Sequence, residues 1–534
     1  MPDWLKDAVF YEIYPQSFYD SNNDGIGDIP GITEKLDYIL DLGCNALWIN
    51  PCFDSPFKDA GYDIRDYKKV APRYGTNDDL IELFHVAHTK GMHVLLDLVP
   101  GHTSEEHPWF RESQKETRNA YSDRYIWTEH VFFGMEGHPY IAGEAERSGS
   151  YMLNFFKCQP ALNYGFLHPS KSWQKPMNDP SCIATKEALK DIMRFWLDSG
   201  CDGFRVDMAS SLVKEDDEKK TGTSQIWRDV RRMLDRDYPN AAIVSEWSDP
   251  ELSLNAGFHM DFMLDGMERP YTFLARDYNN HGFDVITRGG FVDGKPEDWV
   301  VDRSYFKMDS GGSIRSFLND YERMYANTKD KGYICMISGN HDTPRVSLTL
   351  NEKENRLFLA FILTMPGVPF LYYGDEIGMR YLQLPTKEGG YFRTGSRTPM
   401  QWDHSVNLGF SKADPSCLYL PVDSRDDAPT VEAQKGDPTS LYSTVKQILA
   451  LRHSREDLQA NAEFESLYAE DTEPLYLYRR GKLILGVNPS SQERSVPLPQ
   501  QDIGTHKEAI YQIGTGSCNG KTVTLSPQSF ILLQ

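Results

Sequence analysis

Short apolar runs alternate with helical patterns from the N-terminus to about residue 440, and no other feature of the sequence constrains the fold as strongly. Eight of these runs read as strands, over residues 8–14, 46–50, 93–99, 203–208, 242–247, 260–264, 334–338 and 369–373. Between them lie helical patterns, such as an apolar stripe from Ile32 to Leu40 that stops at Gly43, and a stretch that Asn77 and Asp78 can cap. Eight βα units favour closure over an open doubly wound sheet, so we predict an α/β fold of the (β/α)₈ TIM barrel type.

Two stretches depart from this alternation. Residues 103–169 are rich in Tyr, Phe, His and Gly and are too long for an ordinary βα loop, which predicts an inserted subdomain after the third strand. Near the C-terminus the chain changes to short runs such as LYLYRR, KLILGVN and QSFILLQ, which are typical of antiparallel strands. We therefore predict a barrel at residues 1–102 and 170–455, the inserted subdomain at 103–169, and a C-terminal antiparallel β-sandwich at 456–534.

The charge of the chain excludes one class of partner. The formal net charge is −22, and neutralising the phosphates of a nucleic acid needs clustered Lys and Arg that this sequence does not show. The eight cysteines show neither CxxC pairs nor metal-like spacing, and we predict buried, reduced thiols. The chain does not open on a basic segment followed by an apolar one, and no apolar run is long enough to span a bilayer. We expect a cytoplasmic protein with no membrane partner.

Polar residues concentrate at the ends of four predicted strands, which is where barrels of this type carry their chemistry. They are Asp97 and His102 after the third strand, Arg205 and Asp207 in the fourth, Glu246 after the fifth, and His341, Asp342 and Arg345 after the seventh. Each alone has an ordinary explanation, such as a structural ion pair between Arg205 and Asp207 or a solvated strand end at Glu246. Their joint occurrence favours an active site.

The spacing within this set suggests roles. Arg205 and Asp207 are two residues apart, so on a strand they face the same way, and the guanidinium should lower the pKa of Asp207 and keep it ionised, as a nucleophile requires. Glu246 ends the next strand beside Trp247, in an apolar setting that favours a protonated general acid. Carboxyls on adjacent strand ends can reach the separation of about 5–5.5 Å that retaining glycoside hydrolysis needs.

At these residues the sequence resembles a known family. The resemblance covers essentially the whole chain and rests on AVFYEIYPQSF, DSNNDGIGDI, GYDIRDY, GTNDDL, DLVPGHTSEEHPWF, QPALNY, GFRVD, NHDTPR, YYGDEIGM and RTPMQWD. It is with the α-amylase clan of glycoside hydrolases, and within it the oligo-1,6-glucosidase, dextran glucosidase and α-glucosidase branch. The resemblance implies Asp207 as nucleophile, Glu246 as acid/base, and Asp342 as the carboxylate that binds sugar hydroxyls, assisted by His102, His341 and Arg205.

The same resemblance extends to substrate binding. Tyr62 matches an aromatic platform under a bound glucose, Asp59 a carboxylate at its non-reducing end, and Arg397 the arginine that pairs with this carboxylate. Such a bridge would block longer chains and restrict the enzyme to terminal glucose units, whereas a plain salt bridge is the alternative interpretation. Phe155 is predicted either to form a wall of this subsite or to belong to the core.

A loop near the N-terminus has the spacing of a calcium site. Oxygen ligands stand at alternate positions, with a main-chain carbonyl among them: Asp20, Asn22, Asp24, Ile26 and Asp28. Asx-turns in a loop without metal are the alternative interpretation. The implied Ca²⁺ is structural, and nothing in the mechanism calls for an organic cofactor.

Three positions depart from the branch and leave the linkage preference open. Gly101 replaces the usual Asn before His102, Met208 is neither the Val nor the smaller or hydroxylated residue of relatives, and Trp247 begins a bulky segment after Glu246. The leading hypothesis is a retaining, exo-acting α-glucosidase that acts on short α-glucosides. A transglucosylase or a sucrose- or trehalose-type isomerase would use the same glucosyl-enzyme. A non-catalytic amylase-like binding protein would need degraded catalytic positions, which this sequence does not have.

Overall fold

The structure, a computed structural model, describes residues 1–265, 269–276, 303–389, 393–504 and 508–534. Its centre is an eight-stranded parallel sheet. In chain order the strands are β1 (Phe10–Ile13), β2 (Ala46–Ile49), β3 (His93–Leu98), β4 (Gly203–Val206), β5 (Ala242–Ser245), β6 (Met260–Phe262), β7 (Tyr333–Cys335) and β8 (Phe370–Tyr372).

The sheet closes into a barrel. Neighbours in sequence are neighbours in space from β1 to β7, and β8 pairs with β1. A parallel bridge between Ile337 and Phe370 joins the end of β7 to β8. The predicted TIM barrel is therefore confirmed, and all eight predicted runs overlap its strands, which end one to three residues earlier than predicted.

Most of the described helices follow strands of the barrel, and one of them, Pro108–Ser113, lies in the inserted segment. The helices are α1 (Ile29–Glu34), α2 (Leu36–Leu42), α3 (Asn77–Thr89), α4 (Pro108–Ser113), α5 (Pro180–Asp198), α6 (Thr221–Asp237), α7 (Pro250–Ala256), α8 (Thr272–Ala275), α9 (Arg315–Thr328), α10 (Glu352–Thr364), α11 (Val431–Lys435) and α12 (Leu441–Ser454). No helix in the described ranges has both the length and the apolarity needed to cross a membrane.

Two details of the predicted helices are wrong. The stripe from Ile32 to Leu40 is broken at Lys35, where α1 ends and α2 begins, and the side chain of Leu40 is exposed. Gly43 does end α2 in the left-handed conformation. The cap of α3 is Thr76 rather than Asn77 or Asp78, because Thr76 and Asp79 form a reciprocal capping box.

The segment that follows β3 carries little regular structure. It contains α4 and two short antiparallel strands, Tyr140–Ala142 and Ser150–Met152. Aromatic rings hold it together: Phe110 packs edge-on against Tyr125 and Tyr151, and Trp127 lies 5.1 Å from Tyr151, centroid to centroid. This inserted segment contributes Phe155 to the cavity described below.

The C-terminal region is antiparallel. One sheet contains β9 (Phe464–Glu470), β10 (Glu473–Arg480), β11 (Leu483–Asn488), β13 (Ala509–Ile513) and β16 (Ser529–Leu533), and a second contains β12 (Arg494–Pro497), β14 (Gly516–Cys518) and β15 (Thr522–Leu525). Leu477 and Ile531 of the first sheet share one core cluster with Val496 and Val523 of the second. The region is thus the predicted β-sandwich.

The cysteines are all free, but they are not all buried. Six of them are buried, whereas Cys417 is exposed and Cys518 is partly exposed. The prediction of uniformly buried thiols is wrong for these two, because both lie outside the barrel core, in a surface turn and in strand β14.

Candidate active site

The polar residues at the strand ends meet in one cavity. Its volume is about 550 Å³. We call one set of its lining residues the charged end, namely Asp59, Tyr62, His102, Asp342 and Arg393, and a second set the Trp247 end, namely Met208, Trp247, Leu264, Asp265 and Arg269. Asp207 and Glu246 line the same cavity.

Arg205 joins the carboxyls that the sequence predicted to be neighbours. Its guanidinium is buried and lies 3.2 Å from Asp207 through Nη1 and 2.9 Å from Glu246 through Nη2. The same Nη1 lies 2.9 Å from Asp97 on β3. Because one planar group reaches Asp207 and Glu246 with adjacent nitrogens, both carboxyls are held beside a common space in the cavity.

The expected direction of the pKa of Asp207 is wrong. Burial raises the pKa of Asp207 well above its ordinary value, the negative charge of Glu246 raises it further, and Arg205 opposes both effects. A single guanidinium that is shared among three carboxylates does not offset the loss of solvent around Asp207. Burial and the charge of Glu246 therefore favour the neutral form of the Asp207 carboxyl.

A turn after β4 holds the second oxygen of Glu246. Oε2 accepts a hydrogen bond of 3.0 Å from the backbone N–H of Met208. Met208 has φ 41°, in the left-handed region, which turns the chain sharply after Asp207. The position that departs from the family pattern thus orients Glu246 through its backbone, while its side chain lines the cavity.

Asp342 is the most strongly stabilised carboxylate of the site. Its Oδ1 lies 2.7 Å from Arg393 and 2.8 Å from Arg397, and its Oδ2 lies 3.2 Å from His341. Burial disfavours the charged form, but His341 and the two arginines lower the pKa of Asp342 well below its ordinary range. Asp342 is therefore ionised at neutral pH and can accept hydrogen bonds from a ligand.

The predicted pairing of Arg397 with Asp59 is wrong. Asp59 forms its ion pair with Arg393, which also contacts Asp342. Arg397 has other partners: its Nε donates to the carbonyl of His341 at 2.8 Å and its Nη2 contacts Asp342. The two arginines lie four residues apart around a short helical turn, and the sequence motif alone does not show which of them reaches Asp59.

Asp59 has a second partner that sequence reasoning did not identify. Nε2 of Gln159, in the inserted segment, donates to Oδ2 of Asp59 at 2.6 Å. Gln159 belongs to the QPALNY motif, which carries part of the family resemblance, but the motif does not show that this amide contacts Asp59. Asp59 is thereby held from the barrel side by Arg393 and from the inserted segment by Gln159.

The two aromatic residues predicted for the substrate site, Tyr62 and Phe155, have different environments. Tyr62 is buried, donates to Asp97 at 3.0 Å, and stacks on His341 with 14° between the ring planes. Phe155 is 40% exposed and lines the cavity, so the interpretation of Phe155 as a core residue is wrong. Burial lowers the pKa of His102 to about 3, so this imidazole is neutral.

His341 is charged, and a residue that the sequence did not reveal supports it. Its Nδ1 lies 2.8 Å from Glu12, a fully buried residue of β1, and its Nε2 lies 2.6 Å from the hydroxyl of Tyr62. Burial alone favours the neutral ring, but Asp342 and Glu12 raise the pKa of His341 to about 9. In the sequence, Glu12 is a lone acidic residue in an apolar strand and gives no signal of this contact.

The loop predicted to bind calcium has its oxygens engaged within the protein. Asp20 accepts N–H groups of Asn23 and Gly25 at 2.7 and 2.8 Å, and Asp24 accepts that of Ile26 at 2.9 Å. Asp28 caps α1 through Gly31. Within the described residues, no group of three or more carboxylate, imidazole or thiol side chains is placed to hold a metal ion. The calcium site stays a prediction.

Comparisons with known proteins place the chain. The catalytic domain of alpha amylase, as a family, matches residues 12–461. The chain is 34% identical over 493 residues to the trehalose synthase/amylase TreS of Mycolicibacterium smegmatis, over 87% of this chain and 78% of that protein. It is 32% identical over 569 residues to an oligo-1,6-glucosidase of Heyndrickxia coagulans, over 94% of each. A crystal structure of a mutant of the trehalulose synthase MutB with Tris is similar, with a TM-score of 0.78, 25% identity and 99% of both chains covered. The chain therefore belongs to the alpha-amylase family, as its motifs indicated.

Proposed function

We propose that the protein is a retaining α-glucosidase that removes terminal glucose from short α-glucosides through a glucosyl-Asp207 intermediate. The observation that carries this proposal is the single guanidinium of Arg205, which binds Asp207 and Glu246 with its two terminal nitrogens beside one cavity. Retaining chemistry needs two carboxyls roughly 5–5.5 Å apart on either side of one glycosidic bond.

The proposed reaction has two steps. Asp207 attacks the anomeric carbon while the bond to the leaving oxygen breaks, and that oxygen takes the proton of Glu246. Glu246, now a carboxylate, then removes a proton from water, whose oxygen displaces Asp207 and releases glucose. The productive complex needs a proton on Glu246 and an ionised Asp207, so binding of the sugar has to overcome the raised pKa of Asp207.

The charged end of the cavity supports cleavage of the terminal glucosidic bond. Asp59 and Arg393 are both buried and in contact, and both also border the space beside Asp342. Their paired charges can bind the hydroxyls of one glucose and close the cavity behind it. We propose that this pair, rather than Asp59 with Arg397, restricts the enzyme to the last glucose of a chain.

A second function uses the same intermediate. If a sugar replaces water in the second step, the enzyme is a transglucosylase or isomerase. Two similar proteins, the trehalose synthase/amylase TreS and the trehalulose synthase MutB, favour this alternative. The Trp247 end supports it as well, because Trp247, Leu264 and Met208 form apolar walls that can exclude water from the intermediate.

One experiment separates these functions. The purified protein is incubated with sucrose, maltose, isomaltose and trehalose, and ¹H NMR follows the anomeric configuration of the first product and the products at equilibrium. Hydrolysis predicts free glucose that appears first as the α-anomer. Accumulation of an isomeric disaccharide identifies the transfer function, and first appearance of β-glucose contradicts both.

We also propose that the Asp20–Asp28 loop binds a structural calcium ion. The alternate spacing of its oxygens supports this, and a carboxylate oxygen that accepts an N–H retains a second lone pair for a cation. Calcium added to chelator-treated protein should raise the Tm by a few degrees, since a ligand of the native state stabilises it by mass action. Asp24→Ala should remove the increase. A Tm that calcium does not change contradicts the proposal.

A further inference from the structure

The side chain of Asn154 occupies the space that a side chain at position 101 would need. A Cβ built on Gly101 would lie 2.8 Å from Nδ2 of Asn154. The backbone of Gly101 is not in the left-handed region, so its conformation does not require glycine. Glycine is required here because a side chain would collide with the amide of Asn154.

Asn154 belongs to the inserted segment and reaches two residues that line the cavity. Its Nδ2 lies 3.0 Å from Nδ1 of His102 and 3.7 Å from the sulfur of Met208. Its Oδ1 accepts a hydrogen bond of 2.6 Å from Nζ of Lys214, which also donates to the carbonyl of Ser211 at 2.6 Å. The amide thus bridges the lysine and the histidine.

These contacts determine how the amide is oriented. Burial lowers the pKa of Lys214 to about 8, so at neutral pH Lys214 is an ammonium group that only donates hydrogen bonds. Its partner on Asn154 must be the oxygen, which leaves the NH₂ group to face His102. Nδ1 of His102 must then accept, and the ring proton must reside on Nε2.

The other side of the ring agrees with this assignment. Nε2 of His102 lies 3.1 Å from the carbonyl oxygen of Tyr62, which can only accept. His102 itself lines the charged end of the cavity. The neutral ring therefore has its one N–H on Nε2, with a fixed orientation.

We propose that Asn154 and Lys214 are positioning residues that fix His102 as the Nε2–H tautomer, and that glycine at position 101 is what admits Asn154. This inference rests on the proposed function, because it is a bound glucose that would meet the imidazole fixed in this way. It explains Gly101 by a contact from the inserted segment, and it connects Gly101 with Met208 through the same amide.

The tautomer can be measured without any substrate. In protein labelled with ¹⁵N-histidine, the ¹⁵N signals of His102 are assigned by their loss in His102→Asn. Between about pH 6 and 8, their chemical shifts should show a bare Nδ1 and a protonated Nε2. Asn154→Asp presents only acceptor oxygens and should place a proton on Nδ1. A wild-type His102 with a protonated Nδ1, or no change in Asn154→Asp, overturns the proposal.

Kinetics test the role of the glycine. Asn154→Ala should lower kcat/KM about tenfold, the value of roughly one hydrogen bond. Gly101→Ala should cause a similar loss by displacing the amide, and Gly101→Ala with Asn154→Ala should cost little more than Asn154→Ala alone, because the clash is then gone. Additive losses in the double variant overturn this part.

Two controls complete the design. Asn461→Asp makes the same chemical change at an exposed asparagine and should alter neither the His102 signals nor kcat/KM. Lys214→Met removes the donor to Oδ1 and should yield a mixture of His102 tautomers, whereas a single Nε2–H form would remove Lys214 from the proposal. If the protein acts on no glucoside, the proposed function fails while the NMR result still stands.

Discussion

The two ends of the cavity differ in the chemical character of their side chains. At the charged end, Asp342 contacts Arg393, Arg397 and His341. Asp59 shares Arg393 with it and also contacts Gln159. At the Trp247 end, Trp247, Leu264 and Met208 present apolar surface, and the ion pair of Asp265 is with Arg276, at 3.0 Å.

The difference concerns how strictly each end can select its ligand. Buried, oriented charges discriminate strongly because an unmatched group leaves them unpaired, whereas apolar walls discriminate only weakly. We infer that the first sugar is selected strictly and that the second sugar or acceptor is selected loosely. Four predictions test this contrast.

The largest effect on turnover should come from substitutions of Asp207 and Glu246, which lie between the two ends. Asp207→Ala and Glu246→Gln should each lower kcat by on the order of 10³ or more, because each removes a group that takes part in bond breaking. Steady-state rates on an aryl α-glucoside measure this, and circular dichroism verifies the fold. A near-normal rate in either variant would mean that the roles are misassigned.

The next effect should come from the charged end. Arg393→Met leaves the buried Asp59 and the partly exposed Asp342 without this partner and should lower kcat/KM by about 10² or more. The variant should also lose its preference for terminal over internal bonds, as measured with maltotriose derivatives blocked at the non-reducing end. Arg397→Met serves as the matched comparison: if it alone relaxes this preference, the pairing inferred for Arg393 is wrong.

A smaller effect is expected at the Trp247 end. Trp247→Leu removes part of an apolar wall and should raise KM for disaccharides about tenfold while changing rates on aryl glucosides little. Water should also reach the intermediate more easily, so the ratio of transfer to hydrolysis should fall. Product ratios at matched conversion measure this, and an unchanged ratio would contradict a water-excluding role.

The smallest effect should be a shift in the pH dependence of kcat/KM. Because burial and Glu246 raise the pKa of Asp207, removing the charge in Glu246→Gln should lower that pKa. The acid limb of kcat/KM, measured with α-glucosyl fluoride as a substrate that needs no protonated leaving group, should therefore move to lower pH. Glu251→Gln, a partly exposed residue that does not line the cavity, should leave this limb in place. A limb that does not move would show that Glu246 does not act on Asp207 electrostatically.

The barrel and the positions of its polar residues were predictable because both follow from local pattern. Short apolar runs located the eight strands of the barrel. Strand ends in a closed barrel all point to one mouth, so Asp207, Glu246 and His341 had to approach each other. Details that depend on a choice between neighbours were not predictable. Thr76 rather than Asn77 caps α3 because only Thr76 stands three residues before Asp79.

Contacts between distant segments account for what the sequence did not show. Asn154 and Gln159 act on barrel residues from the inserted segment, which has no periodicity that places it over the strands. Glu12 looks like an isolated acid in a strand until β1 and the end of β7 bring it to His341. The predicted pKa of Asp207 is too low because the sequence shows the neighbouring Arg205 but does not show that Asp97 and Glu246 contact the same guanidinium.

The sharing of Arg205 also bears on which sugars can enter at all. Around the future anomeric centre, one guanidinium faces the side chains of Asp97, Asp207 and Glu246. In this cluster three carboxyls outnumber one guanidinium, so we expect the local field to favour the positive charge that grows on a glucosyl ring as its bond to oxygen breaks. The same field should disfavour a phosphate group placed beside these carboxyls, without any steric barrier.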